Sequence, residues 1–434
     1  MKHYRRFHLA NGVTVFHVPL AGTRATTVLA MFPIGSRYET RPISGAAHFV
    51  EHLLFKGTEK RSTTVELSRG LEAAGAEYNA FTNKDYTGYY VKIDSAQQEL
   101  AFDLLADMIY HSKLDSREVD KERGAIVEEL RMYQDNPTMK VDMLFDQALF
   151  GDCPLGWEIG GTAKTVRAVP REALWNFYRT HYSPRSLVLT VAGNISARQL
   201  ARHLKYFAEG RALARAPAFA WYRQSFARVR WPRRPPPLAR RLVVEERPAD
   251  QAHVIIGFPG LPNNHPDRYA ASLLLSILGV GMTSRLFVEV REKRGLAYMI
   301  RAGAASYRDV GAVYVQAGLD PARLPEALRV IREELHRLTA ELVTPEELRD
   351  AKSSIAGRLA LSLEESSAQA EWYAKQLLFA RQLETPEELV RRLQRVSAES
   401  VRAVARRLLR WEEVRGAFIG ALTAGKVRQM MEKS

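Results

Sequence analysis

Two histidines and a glutamate stand at His48, Glu51 and His52, inside Gly45-Ala46-Ala47-His48-Phe49-Val50-Glu51-His52-Leu53-Leu54-Phe55. No helix breaker follows Gly45, and apolar residues at Ala47, Val50 and Leu54 and at Phe49 and Leu53 predict a buried helix. On it His48 and His52 are one turn apart and share a face. Two imidazoles so placed can take two corners of a tetrahedral zinc site, and Glu51 sits beside them where a base is needed. A single buried histidine is usually a satisfied core residue. A pair with an acid between them is hard to bury on an apolar helix without a metal, because each uncompensated polar group costs about 2 kcal/mol or more.

Such a site needs a third protein ligand and leaves the fourth position to water. A helix predicted from Ser116 to Gln134, stopped by Asn136-Pro137, offers Glu118, Glu122, Glu128 and Glu129. Glu122 and Glu129 are seven apart and so lie on one face. Spacing alone does not separate Glu128 from Glu129.

The elements that must position these groups follow a repeating order. Residues 5 to 18 and 26 to 34 alternate as strands, with Asn11-Gly12 as a turn, and the histidine helix comes next. Helices are predicted over Thr63 to Ala74, Gln97 to Tyr110, Met139 to Phe150 and Pro170 to Tyr182. Glu77 to Thr82 and Tyr86 to Ile93 read as a hairpin, and Ser186 to Ala192 as a closing strand. After residue 241 the order recurs: strands at Leu242 to Glu246 and Ala252 to Phe258, a helix from Asp267 to Leu278, a hairpin from Gly303 to Leu319, and a helix from Leu324 to Leu338. A long helix then opens at the capping box Thr344-Pro345-Glu346-Glu347.

Ala125-Ile126-Val127-Glu128-Glu129-Leu130 lies over Ser354-Ile355-Ala356-Gly357-Arg358-Leu359. The chain therefore reads as two homologous tandem α+β domains, residues 1–205 and 242–434, joined by a linker at 206–241. The second copy has no histidine pair and carries Arg358 where the first has Glu129, so metal chemistry belongs to the first.

A chain of 434 residues exceeds one hydrophobic core, and its 46% apolar content is ordinary for a folded protein. No apolar run approaches 18 residues, and no apolar segment follows the basic N-terminus, so neither a membrane span nor a signal peptide is expected. The expected compartment is the cytoplasm. Cys153 is the only cysteine, which excludes intramolecular disulfides and a cysteine-based metal site. The net charge of +14 raises nucleic acid as a partner, but nine arginines and no acid fall in the proline-rich segment Arg211 to Arg241. Between two folded halves, such a stretch is expected to be a solvated basic linker rather than a nucleic-acid site.

His48-Phe49-Val50-Glu51-His52 has the inverted order H-x-x-E-H. With Glu129 in Glu122-Arg123-Gly124-Ala125-Ile126-Val127-Glu128-Glu129-Leu130, it resembles the pitrilysin or insulinase family of zinc metallopeptidases, which includes mitochondrial processing peptidase. The likeness covers almost the whole chain. It takes in Asn79-Ala80-Phe81-Thr82, Pro154-Leu155-Gly156, Gly160-Gly161-Thr162 and Tyr182-Ser183-Pro184. In the second half it takes in Ser284-Arg285-Leu286-Phe287 and Arg291-Glu292-Lys293-Arg294-Gly295-Leu296-Ala297-Tyr298.

The resemblance implies a clamshell of the two domains and one Zn2+ per chain on His48, His52 and Glu129. It implies Glu51 as base, Glu122 as a carboxylate holding a ligand histidine, and Arg291 and Tyr298 facing the site from the second half. Asn79, Ala80 and Phe81 would then lie on an edge strand to which a peptide substrate adds. The expected activity is zinc-dependent endopeptidase action on small or unfolded peptides. The alternative is a non-catalytic subunit of a processing-peptidase-like complex. Whether the chain works alone, as a homodimer or with a related subunit stays open.

Overall fold

The computed structural model describes residues 4–210 and 234–433 apart from 381, together with 217, 222, 226, 228, 229, 231 and 232. Six strands form the first sheet: β1 (Arg5–His8), β2 (Thr14–Pro19), β3 (Ala25–Phe32), β4 (Glu77–Thr82), β5 (Thr87–Asp94) and β6 (Val188–Gly193). They lie in the order β1-β2-β6-β3-β5-β4, antiparallel except where β2 meets β6. The second sheet contains β7 (Leu242–Glu246), β8 (Ala252–Gly260), β9 (Ala297–Ser306), β10 (Gly311–Leu319) and β11 (Arg415–Gly420), in the order β7-β11-β8-β10-β9. Its one parallel pair, β7 with β11, falls where β2 pairs with β6. The same pattern written twice is the duplicated α+β domain read from the sequence.

The helices are α1 (Ala46–Leu54), α2 (Thr64–Ala73), α3 (Gln98–His111), α4 (Ser116–Asp135), α5 (Pro137–Phe150), α6 (Ala163–Ala168), α7 (Arg171–His181), α8 (Ala197–His203) and α9 (Lys205–Ala208). They continue with α10 (Arg268–Gly279), α11 (Leu324–Ala340), α12 (Pro345–Ser362), α13 (Ser366–Phe379), α14 (Pro386–Gln394), α15 (Ala398–Leu408) and α16 (Ala424–Lys433). Among the described residues no helix is long and apolar enough to cross a membrane. The Thr344 capping box is present: Thr344 Oγ1 accepts from Glu347 N, and Glu347 Oε2 accepts from Thr344 N. The same Glu347 takes Arg285 through two bonds of 2.7 and 3.0 Å, so Arg285 in the Ser284-Arg285-Leu286-Phe287 motif anchors the start of α12.

The compact units are not the two chain halves. Unit 1 comprises residues 1–131, 158–227 and 361–383, and unit 2 comprises 132–157, 228–360 and 384–434. The expected boundaries at 205 and 242 miss this because each half lends the other a helix. In unit 1 one face of the sheet packs Val28, Ala30 and Phe32 against Phe49, Val50 and Leu53 of α1 and Phe102 and Leu105 of α3. The opposite face, with Phe16, Leu29, Met31 and Val188, is covered by Ala370, Tyr373, Ala374 and Leu377 of α13. In unit 2, Val141, Phe145 and Leu149 of α5 cover Ile255, Ala312, Ala417 and Ile419.

Two other expectations change. The second hairpin begins at Ala297, six residues before Gly303. Gly303 does not break the strand, because the Tyr314 ring occupies the place of its side chain, 2.8 Å from where a Cβ would sit. Much of the arginine-rich segment lies outside the described residues, but Tyr222 within it is fully buried and bonds His181 at 2.9 Å. Phe226 stacks under Arg37 at 4.3 Å, and Trp231 packs on Phe150. At these points the segment is anchored to the fold, not solvated.

Candidate metal centre

Helix α1 starts where only glycine fits. Gly45 has φ +97°, and a Cβ there would come within 2.5 Å of the Gly160 carbonyl oxygen. A glycine cannot cap with a side chain, yet the first N–H groups of α1 are buried and need acceptors. Glu39 supplies them: its Oε2 accepts from Gly45 N and its Oε1 from Ala47 N, both at 2.7 Å. Burial pushes its carboxyl up to about 8, against the pull of those two donors and of Lys84.

From this helix His48 and His52 turn their Nε2 atoms toward each other, 3.3 Å apart. Glu129 Oε2 of α4 lies 3.6 Å from His48 Nε2 and 3.4 Å from His52 Nε2. Four ligands tetrahedrally placed about 2.0–2.1 Å from zinc are about 3.3–3.4 Å from one another, so this triangle has the edge length of a zinc site's face. The donors are also of the right kind, two imidazoles and a carboxylate, and the residues present fit the ion. Among the described residues this is the only cluster of three such groups that could hold a metal.

The neighbours set the state of each donor. Glu122 Oε1 accepts the Nδ1–H of His52 at 2.8 Å, which leaves Nε2 of that ring as the inward atom. Lys56 holds the other oxygen of Glu122 at 2.7 Å. Burial works against the charged form of His52, but the bonds to Glu122 and Glu129 and their charge prevail and lift its pKa to about 9. Burial and the nearby His52 push His48 down to about 4. Glu122 is burdened by burial yet held below its ordinary pKa by His52 and Lys56.

Glu51 is raised by burial, opposed by the Thr82 hydroxyl, which donates to Oε2 at 2.5 Å, and by His52. A carboxyl raised above its ordinary range and poised beside a ligand set is suited to taking and returning a proton.

Thus His48, Glu51, His52, Glu122 and Glu129 are brought together in unit 1. Glu128 points elsewhere: it is exposed and pairs with Arg131 at 2.6 Å, while Glu129 lies beside the two histidines. Asn79, Ala80 and Phe81 lie on β4, an edge strand that pairs only with β5 among the described residues and ends at Thr82 beside Glu51. Arg291 and Tyr298 belong to unit 2 and sit together. Arg291 is on a π-helical turn, Phe287–Glu292, with its guanidinium 4.8 Å from the Phe287 ring and 5.5 Å from the Tyr298 ring. Tyr298 is 77% exposed.

Glu39, Lys56 and Thr82 were not singled out from the sequence. Thr82 closes the quoted stretch Asn79-Ala80-Phe81-Thr82 and Lys56 follows the quoted Phe55, which is the only signal they give. Glu39 gives none, since helix caps are sought at the residue before a helix and it stands six earlier.

The family model described as "Insulinase (Peptidase family M16)" matches residues 19–163, and the one described as "Peptidase M16 inactive domain" matches residues 168–355. An uncharacterized zinc protease of Streptomyces coelicolor is 38% identical, aligned over 93% of this chain and 87% of that protein. The uncharacterized zinc protease YmxG of Bacillus subtilis is 32% identical over 93% and 95% of the two chains. Among solved structures, a protease from Helicobacter pylori superposes with TM-score 0.84 at 23% identity, covering 96% of this chain and 99% of that one. A structure described as a peptidase M16 inactive domain, from Pseudomonas fluorescens, gives TM-score 0.86 at 21% identity over 97% and 98%. At those identities the structures speak for the fold.

Proposed function

The chain belongs to the insulinase family, peptidase family M16, and on that premise we propose that it is a zinc-dependent endopeptidase acting on small or unfolded peptides. The observation that carries this reading is the convergence of His48 Nε2, His52 Nε2 and Glu129 Oε2 on one point. Glu51 lies on the same helix, near enough to feel the charge of His52 and Glu129.

Zinc held by these three residues would polarise a scissile carbonyl and acidify a water. The protein's own groups do the rest. Glu51 takes the proton of the attacking water and returns it to the leaving amine, and Thr82 orients its carboxylate by donating to Oε2. Glu122 and Lys56 keep the inward lone pair on His52. An extended peptide adds to the edge of β4 along Asn79, Ala80 and Phe81, which sets its register by main-chain bonds. To Tyr298 we assign hydrogen bonding to the oxyanion, and to Arg291 a contact with substrate backbone or a carboxylate, following the family resemblance.

The test is hydrolysis of an unstructured reporter peptide before and after chelation, then after return of one equivalent of zinc. Loss and recovery of cleavage are expected. Cleavage indifferent to chelator would sink the zinc mechanism, and an inert but fully zinc-loaded chain would favour a non-catalytic subunit instead.

A further inference from the structure

The two candidate ligand histidines are held by different means. His52 is fixed by side chains, through Glu122 and behind it Lys56. His48 has no such holder: its Nδ1 is buried without a hydrogen-bond partner among the described residues. Gly160 packs against that ring, but packing does not fix a ring as a hydrogen bond does. The place of His48 therefore depends on the backbone of the first turn of α1, where it is the third helical residue after Gly45.

That turn has no cap from its own start, since Gly45 carries no side chain. The acceptors come from Glu39, 4% exposed, with one oxygen on Gly45 N and the other on Ala47 N. We propose that Glu39 is the positioning residue for His48, fixing the first turn of α1 and thereby the separation of the two histidine Nε2 atoms. It touches neither metal nor substrate. The inference rests on the zinc reading given above, and it assigns to a residue outside the H-x-x-E-H motif a share in metal affinity.

Glu39→Gln is the sharp variant. Its shape is kept, but its amide nitrogen cannot accept, so one of the two N–H groups loses its partner whether the parent carboxyl is ionised or not. Zinc affinity of the full chain is measured by competition with a chelator, and the visible spectrum of the cobalt-substituted chain reports ligand geometry. Val191→Ala, in the same core but on β6, serves as a control for general loss of stability.

The expected result is a zinc Kd weakened about 10- to 100-fold in Glu39→Gln, the range for outer residues of metal sites, together with an altered cobalt spectrum. Val191→Ala should lower the melting temperature and leave both unchanged. The proposal is overturned if Glu39→Gln keeps the parent's Kd and spectrum, or if Val191→Ala weakens zinc as much. Should Glu39→Gln not accumulate, Glu39→Asp, which keeps both acceptors but one methylene short, is read in the same way. A parent chain that binds neither zinc nor cobalt overturns the metal reading itself, and this is seen before any variant is made.

Discussion

Helices α4 and α12 occupy the same place in the two copies of the fold, and what they bury differs. With Ala125 to Leu130 laid over Ser354 to Leu359, Glu122 corresponds to Ala351 and Glu129 to Arg358. Glu122 and Ala351 are each 6% exposed, so the position is equally closed to water in both units. Unit 1 buries a carboxylate there, tied to His52 and Lys56. Unit 2 buries a methyl group among leucines and valines. One turn pair further on, Glu129 faces two imidazoles, whereas Arg358 reaches out to Ser354 from an exposed position. The scaffold alone does not call for charge at these places. Unit 1 carries two carboxylates there together with their partners, and unit 2 has neither carboxylate.

Experiments that break this contrast should have the following effects, the largest first. His48→Ala, His52→Ala or Glu129→Ala should each release zinc and bring peptide cleavage to background. Glu128→Ala, one residue from the last of these, should keep full metal content, which elemental analysis of the purified chain decides. Glu51→Gln should retain zinc but lower kcat by about 10²–10⁴-fold, the usual worth of a proton-transfer group. Substantial residual turnover in a zinc-loaded Glu51→Gln chain rules that residue out as base.

Tyr298→Phe asks whether unit 2 takes part in catalysis at all, and kcat should fall by about 10²–10³-fold, as for the loss of one oxyanion donor. An unchanged kcat would confine the chemistry to unit 1. Ala351→Glu puts into unit 2 the carboxylate of unit 1 without its partners. It should cost about 2 kcal/mol or more in a denaturant titration, because it puts a carboxylate where Ala351 lies buried in an apolar cluster. A neutral result would mean that the position tolerates charge unaided and that the contrast between the units says little.

The last effect concerns pH. Without metal, His52 keeps its proton up to about pH 9, above its ordinary value, so a metal ion must expel that proton to bind. Zinc affinity should therefore rise about tenfold per pH unit below that point and level off above it. His48, near 4, adds no further slope at neutral pH. A flat profile between pH 6 and 8 would show that His52 is not the proton-bearing partner.

The histidine pair, its helix and the repeat were legible because periodicity and spacing are local properties of the chain. Glu129 was not separable from Glu128 until α4 took its actual rotation against α1. Glu39 was hidden because its bonds run to a backbone, and backbone N–H groups look alike in any sequence. The exchange of α5 and α13 was hidden for a related reason. Their apolar faces show that each must cover something, but a face of leucine, phenylalanine and alanine fits either sheet. The hairpin's true start at Ala297 lay six residues before the expected Gly303, whose missing side chain leaves room for the Tyr314 ring.

The loan of α13 to the first sheet also bears on how the protein is made. All strands of that sheet have been synthesised once Gly193 is complete, and every proposed zinc ligand earlier still. The face bearing Phe16, Leu29, Met31 and Val188 nevertheless stays bare until Ser366–Phe379 leaves the ribosome. At about 5–20 residues per second this wait lasts roughly ten to thirty-five seconds. For that interval the nascent chain carries an exposed apolar sheet beside a complete ligand set. The final fifth of the message thus supplies the cover for a sheet encoded in the first half.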